Sequence, residues 1–421
     1  MSTGAEAAAR RPILLVCLAI FGLVAGQQMV NPILAPLARE FGFSELALGV
    51  VWTVSASGVV LASPFWGRRT TSWGHRLVLL VALLGAMTGL LAFAFVAHVG
   101  VTGALAVPLL FTLVLLSRGV VFGFAWAGIG VTAQSYVADV TSGTDERVRG
   151  MSMLGAASGL GSATGPALGG LLSFAGLLAP IYVAPAILAV IAVLVWTGLP
   201  KPKTHLARPV SAKISPFDRR LWPFLATGFG LSLAFTIVQM TIGFLLQDRL
   251  HLTAQETGRA TGLVMLAGAG AIVFAQAFAV PRLGWAPLRL IRTGAVLMAG
   301  GIVVVTVAPS ALLLSVGVAL LGAGLGFGTP GFVSAPTLLT TREEQGAVAG
   351  LIGSTNALTY TLGPLLATSL YEIAPTVPYL LAAGVLAVLV VFVFAHPGVR
   401  QAPTAAAESE ETVAATATSR R

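Results

Sequence analysis

Apolar stretches of about 20 residues, long enough to cross roughly 30 Å of hydrocarbon, recur along nearly the whole chain and are parted by short polar turns. The pattern predicts twelve spans, at about 12–37, 45–66, 76–97, 104–126, 150–174, 177–199, 221–247, 257–280, 286–308, 311–332, 346–370 and 377–396. The first follows Arg10 and Arg11, but it outruns the apolar region of a cleavable signal peptide and has no small-residue cleavage site before the next span. Residues 1–11 read as a cytoplasmic N-terminus. The longest internal polar stretch, 200–220, reads as a cytoplasmic linker between a half at 12–199 and a half at 221–397. The end, 398–421, is poor in large apolar residues and is expected to be a disordered cytoplasmic tail.

Charge fixes the expected orientation. An even number of spans puts both termini on one side of the membrane, and Lys and Arg collect on the cytoplasmic side. Of 24 such residues, only Arg39, Arg249 and Arg259 fall on the far side; Arg118 lies inside a span, and the other twenty fall on the side of the termini. Both termini are therefore expected in the cytoplasm. The net charge of +9 becomes a topology signal, and no nucleic-acid partner is expected. Composition agrees with a lipid environment. Hydrophobic residues make up 56% and charged residues 9% of the 421, whereas a soluble globule carries roughly a quarter charged. The single Cys17 excludes a disulfide framework, and no metal or other cofactor is expected.

The two halves echo one another. Arg10-Arg11 and Arg219-Arg220 are 209 residues apart, and Gln28-Met29 and Gln239-Met240 are 211 apart. Gly165-Pro166 and Gly363-Pro364 are separated by 198, as are Pro180 and Pro378. Such repetition is a transporter signature. The expected fold is an all-α membrane protein, with twelve transmembrane helices in two pseudo-symmetric six-helix halves.

Span five reads GAASGLGSATGPALGG, with Gly161, Gly165 and Gly169 four apart on one helical face and Pro166 and Gly170 beside them. Small residues at that spacing permit close backbone approach, and a plain packing face is the alternative reading. The pattern resembles the antiporter motif of span five in the drug-efflux (drug:proton antiporter) branch of the major facilitator superfamily. The segment Ala133–Thr141, with Arg147 and Arg149 downstream, is similar to the span-four exit of tetracycline-efflux-like members. The resemblance covers roughly 10–400. It implies a 6+6 bundle that alternates between inward-open and outward-open states, and efflux driven by proton antiport.

The loop between spans two and three matches the family's cytoplasmic gate at Gly67, Gly74, His75 and Arg76, while Thr71 and Ser72 stand where the family has Asp-Arg. Arg68, Arg69 or Arg76 is expected to pair with Asp139, whose alternative reading is an ordinary helix-end charge. Arg118, about midway into span four, resembles the family's span-four Arg, although Phe122 stands at the usual Gly position and Gly123 follows one step later. A guanidinium inside the membrane needs a polar cavity or a partner; snorkelling to the outer interface is the alternative. A substrate cavity is expected from Gln27, Gln28 and Asn31 in span one, Arg118 and Trp126 in span four, Gln239 in span seven, Gln276 in span eight, and Asn356 and Tyr360 in span eleven. Each amide could equally serve as interhelical glue. No Asp, Glu, His or Lys lies near mid-span. That absence argues against a membrane enzyme and leaves the expected proton carrier without a buried carboxylate.

Together these features point to an exporter of hydrophobic or amphiphilic small molecules in a bacterial inner membrane, coupled to protons and acting as a monomer. The competing readings are an importer or facilitator of an organic anion on the same fold, and a non-transporting sensor or lipid-handling scaffold.

Overall fold

The structure is a computed structural model that describes residues 2–141, 144–200, 214–341 and 344–396, with side chains from residue 12 onward except at 144, 145 and 148. Most of the central linker and the C-terminal tail lie outside the described residues.

Among the described residues the chain is helical throughout, with no strand. The helices are α1 (Ser2–Glu40), α2 (Glu45–Trp73), α3 (His75–Val101), α4 (Val107–Val140), α5 (Thr144–Leu172), α6 (Ala179–Gly198), α7 (Trp222–Leu250), α8 (Ala254–Leu283), α9 (Pro287–Val307), α10 (Ala311–Leu338), α11 (Gln345–Ile373) and α12 (Val377–Ala395). This is the all-α, 6+6 membrane architecture that the hydrophobic pattern predicts. Ten of the helices are long and apolar enough to cross a membrane. The other two, α5 and α11, are equally long at 29 residues but diluted with Gly, Ser and Thr.

Local chemistry sets the boundaries. Ser44 caps α2, its Oγ accepting from the Ala47 amide at 3.3 Å, and Glu45 places a negative charge in the first turn. Thr253 and Glu256 form a capping box at the start of α8, with Glu256 accepting from the Thr253 amide at 2.9 Å and from its hydroxyl at 2.7 Å. Gly74 makes the turn from α2 to α3 at φ 80°, which a Cβ would strain.

Helix α4 departs most from expectation, running on to Val140 rather than ending near 126. Thr132, Gln134 and Ser135 interrupt the apolar run, but neighbouring helices hold this C-terminal third in place. The Trp66 indole of α2 donates to the Phe124 carbonyl at 2.8 Å, and the buried Thr132 and Thr70 hydroxyls meet at 3.2 Å. Trp126 consequently sits mid-helix.

The chain forms two compact units. The first comprises Met1–Ala207 with Met240–Leu266 and Pro364–Ile373; the second comprises Arg208–Gln239, Ala267–Gly363 and Ala374–Arg421. In the first, α1 packs along α5 and α6, while α4 packs against α2 and α3. Its core includes the fully buried Leu23, Met29, Ile33, Leu83, Phe93 and Phe122. In the second, α9 packs along α10 and α12 around Phe224, Phe332 and Tyr379.

Candidate functional site

The glycine face of α5 lies directly on the backbone of α1. A Cβ on Gly161 would stand 2.8 Å from the Phe21 carbonyl oxygen, and one on Gly165 would stand 2.8 Å from that of Ala25 and 2.5 Å from the Gln28 Cβ. A Cβ on Gly169 would run into the Met29 carbonyl. Gly170 points elsewhere, with its Cβ position 2.7 Å from the Gly262 Cα of α8, and Pro166 is buried within a continuous helix. Gly155 and Gly159, outside this spacing, face open space. The C-terminal end of α5 is also tied to α8, because Gln255 and Arg259 both donate to the Ser173 carbonyl at 3.4 Å.

Arg118 lies twelve residues into α4, which at 1.5 Å per residue is about 18 Å from its N-terminal end. There the helix opens into a π-turn over Leu115–Val121. A π-turn accommodates one residue more than an α-turn and occurs often at functional sites. That extra residue accounts for the glycine arriving one position late: Gly123 presses on α2, its Cβ position 2.5 Å from the Ser55 carbonyl oxygen. Arg118 is 3% exposed, so its head does not reach the surface. Its Cζ lies 4.4 Å from the centre of the Phe122 ring and 5.2 Å from that of Trp52, within reach of cation–π attraction. Nε and Nη2 are buried with no hydrogen-bond partner. The guanidinium borders a small pocket of about 20 Å³, room for about one water, whose lining includes Leu48, Val51, Trp52, Ser55, Phe93 and Val114.

The other cavity candidates divide between the two units. In the first, Asn31 is buried and donates to the Gln28 side chain at 2.6 Å, while its own Oδ1 has no partner. Gln27, Gln28 and Trp126 are half-buried, and Trp126 meets Phe122 edge-on at 5.7 Å. In the second, Gln239 and Asn356 are half-buried, and Gln276 and Tyr360 are exposed. Gln276 falls in another π-turn, Ala275–Ala279.

Near the C-terminal end of α4, Asp139 pairs with His75, Nε2 to Oδ2 at 3.1 Å. None of the arginines expected as its partner takes that place. Arg69 lies over the Phe65 and Trp73 rings, and Arg76 donates to the Trp196 carbonyl. Thr71 and Ser72 bond back to carbonyls of their own helix, and Gly67 lies within α2. The second unit has its own charged cluster just before α7, in which Arg220 bridges Asp218 at 2.9 Å and Glu344 at 3.1 Å. The Arg220 hydrogen bond holds the Asp218 carboxyl below the usual range. The Thr341 amide, and then Arg220, do the same for Glu344.

One cluster escaped the sequence reading. Where α1 and α7 end, Arg39 grips Asp248 with both terminal nitrogens, Nη2 to Oδ2 at 2.8 Å, and also donates to Glu45 at 2.8 Å. The Tyr371 hydroxyl donates to Asp248 at 2.8 Å, Glu372 accepts from the Leu46 amide at 2.9 Å, and the Phe244 ring lies under Arg39 at 5.1 Å. A signal was available: Arg39 and Asp248 are 209 residues apart, the repeat offset, and close the same helix of each half with opposite charges.

A family model described as Major Facilitator Superfamily matches residues 16–358 and again 285–420. The chain is 26% identical over 364 residues to the class C tetracycline resistance protein of Escherichia coli, covering 82% of this chain and 86% of that one. It is 27% identical over 411 residues to the class E protein of Escherichia coli, covering 92% and 96%. Among solved structures it is similar to a bacterial homologue of the iron transporter ferroportin in an inward-facing state, with a TM-score of 0.68 and 15% identity over 91% of this chain and 98% of that one.

Proposed function

The chain belongs to the Major Facilitator Superfamily, and on that premise we propose that it is a proton-coupled exporter of hydrophobic or amphiphilic small molecules. It would work by alternating access as a monomer in a bacterial inner membrane, with both termini in the cytoplasm. That it is a multi-pass transporter follows from the family, which is not an enzyme class; the finer statements rest on the site.

The observation that carries export is the α1–α5 contact. Three glycines at a four-residue spacing bring the two backbones together with no side chain of α5 between them. Two helices in such contact move as one body, as rocking of a repeat about a mid-membrane site requires. The similarity to tetracycline resistance proteins over most of both chains supports the same direction. Coupling would fall to carboxylates at helix ends: Asp139 beside His75 on the inner side and Asp248 beside Arg39 on the outer.

The test is accumulation of a panel of labelled amphiphiles in cells with and without the gene, repeated after the proton gradient is collapsed. Lower accumulation that depends on both gene and gradient is expected. Accumulation unchanged by the gene across the panel would overturn export. Lower accumulation that survives collapse of the gradient would overturn proton coupling.

A further inference from the structure

We propose that the end of the second unit where α9 begins and α12 finishes is a docking site for an anionic phospholipid. Arg289 and Arg292 hold the headgroup phosphate, and the exposed valines of the two helices lie along the acyl chains. The inference needs only that the chain is a multi-pass membrane protein, so it stands apart from the direction and coupling of transport.

The apolar faces set the depth. Helix α9 exposes Val296, Val303 and Val307, and α12 exposes Leu380, Val388 and Val391. The two helices pack along one another, and large side chains left bare on such apolar spans belong in hydrocarbon. Val296 stands one helical turn beyond Arg292, on the same face. Arg292 therefore lies where that face reaches the headgroups. Rings gather at the same end, as they do at a membrane interface. Trp285 directly precedes α9, Phe394 closes α12, and Trp222 meets His396 edge-on at 5.2 Å.

The charges at this end are unbalanced. Both arginines fall in the first turns of α9, the end at which a helix dipole favours an anion, and no acidic residue stands in its first turn. The sequence carries no Asp or Glu from 257 to 342. Among the described residues neither arginine enters an ion pair. Each is nevertheless held in position. The Arg289 Cζ lies 4.3 Å from the centre of the Trp285 ring. The Arg292 Nε donates to the Val393 carbonyl at 3.1 Å, and its Cζ lies 4.9 Å from the centre of the Phe394 ring. These contacts use ring faces and one Nε, and they leave the terminal N–H groups for an acceptor outside the protein. At headgroup depth that acceptor is a phosphate, whose oxygens suit the planar guanidinium. A zwitterionic headgroup brings its own cation against the two arginines, whereas an anionic one does not.

The experiment is native mass spectrometry of the full-length protein in detergent, with phosphatidylglycerol and phosphatidylcholine of identical acyl chains as probes. Each arginine at an anionic surface accounts for about fivefold in affinity. The wild type should therefore bind its first phosphatidylglycerol about 25-fold tighter than phosphatidylcholine. In Arg289→Gln the preference should fall to about fivefold, and in the double variant with Arg292→Gln to about one. Arg149→Gln removes an equally exposed charge from α5 and should keep the full preference. Equal binding of the two lipids by the wild type would overturn the site, and that comparison decides even if the double variant fails to fold. A preference that survives in the double variant, or falls as far in Arg149→Gln, would overturn it too. Displacement of phosphatidylglycerol by inorganic phosphate at matched concentration would reduce the site to one for free anions and overturn lipid docking.

Discussion

The first unit holds two arginines in opposite situations. Arg39, at the end of α1, is a quarter exposed at its side chain and is met by two carboxylates, with a tyrosine behind one of them. Arg118, deep in α4, is almost wholly buried and has aromatic rings on its flat face but no anion on its edge. Local electrostatics alone would arrange them the other way, because a charge in water needs no partner and a charge in the membrane does. The contrast separates two uses of one residue type. Arg39 is satisfied from within the protein and joins helix ends, whereas Arg118 is held in position with its donors free.

The largest expected effect concerns which side each arginine faces. A thiol introduced at Ser215, which precedes α7, should react with an impermeant reagent only from the cytoplasm. One introduced at the exposed Thr102 should react only from outside, and the buried Cys17 should stay silent. The reverse labelling would move the Arg39 cluster to the cytoplasmic face and dissolve the contrast as drawn.

The body that carries Arg118 can be broken without touching either arginine. Gly169→Leu places a side chain on the Met29 carbonyl, an overpacking that costs about 1–3 kcal/mol or more. Transport should fall at least about tenfold, against little change for Gly159→Leu on the open side of the same helix. Equal effects at the two positions would show that the α1–α5 approach is not special.

A smaller effect sharpens the Arg39 side. A double-mutant cycle of Arg39→Gln and Asp248→Asn, followed by thermal unfolding, should give a coupling of about 1 kcal/mol, since partly exposed pairs are discounted by solvent. Tyr371→Phe should cost about half as much. A coupling near zero would reduce the outer cluster to incidental contact.

The smallest effect lies in the second unit and depends on pH. Asp218 and Glu344 have carboxyls held below their ordinary range, so their interactions stabilise the fold at neutral pH and are lost as pH falls through the depressed values. Arg220→Gln should flatten that acid-side loss, and added salt should imitate the mutation because the cluster is exposed. An unchanged acid slope would remove Arg220 as its cause.

Periodicity carried most of this fold, because a helix that must bury its backbone polar groups in lipid leaves a long apolar run as its trace. Nine of the twelve helices end within a few residues of the apolar runs, whereas α2 runs on to Trp73 and α10 to Leu338. Helix α4 overruns furthest, because its C-terminal third is held by tertiary partners, Trp66 and Thr70, that no local pattern announces. Arg118 was legible, since a charge inside a span stands out against leucine and valine. Its rings were not, because Trp52 comes from another helix and its approach depends on packing. Arg39 and Asp248 looked like ordinary end charges, and only the spacing of the repeat connects them.

The π-turn at Leu115–Val121 has a consequence for how α4 is written. One added residue turns everything after it by about 100°, so the helix contains a phase slip. Its N-terminal stretch sets Arg118 beside a small pocket, while its C-terminal stretch points Gly123, Gly128 and Thr132 at α2 and α3. The two stretches keep separate bearings on a common axis. Removing a single residue there, such as the exposed Val120, would bring the two back into step, and then either the cation leaves its pocket or the C-terminal contacts lose their register.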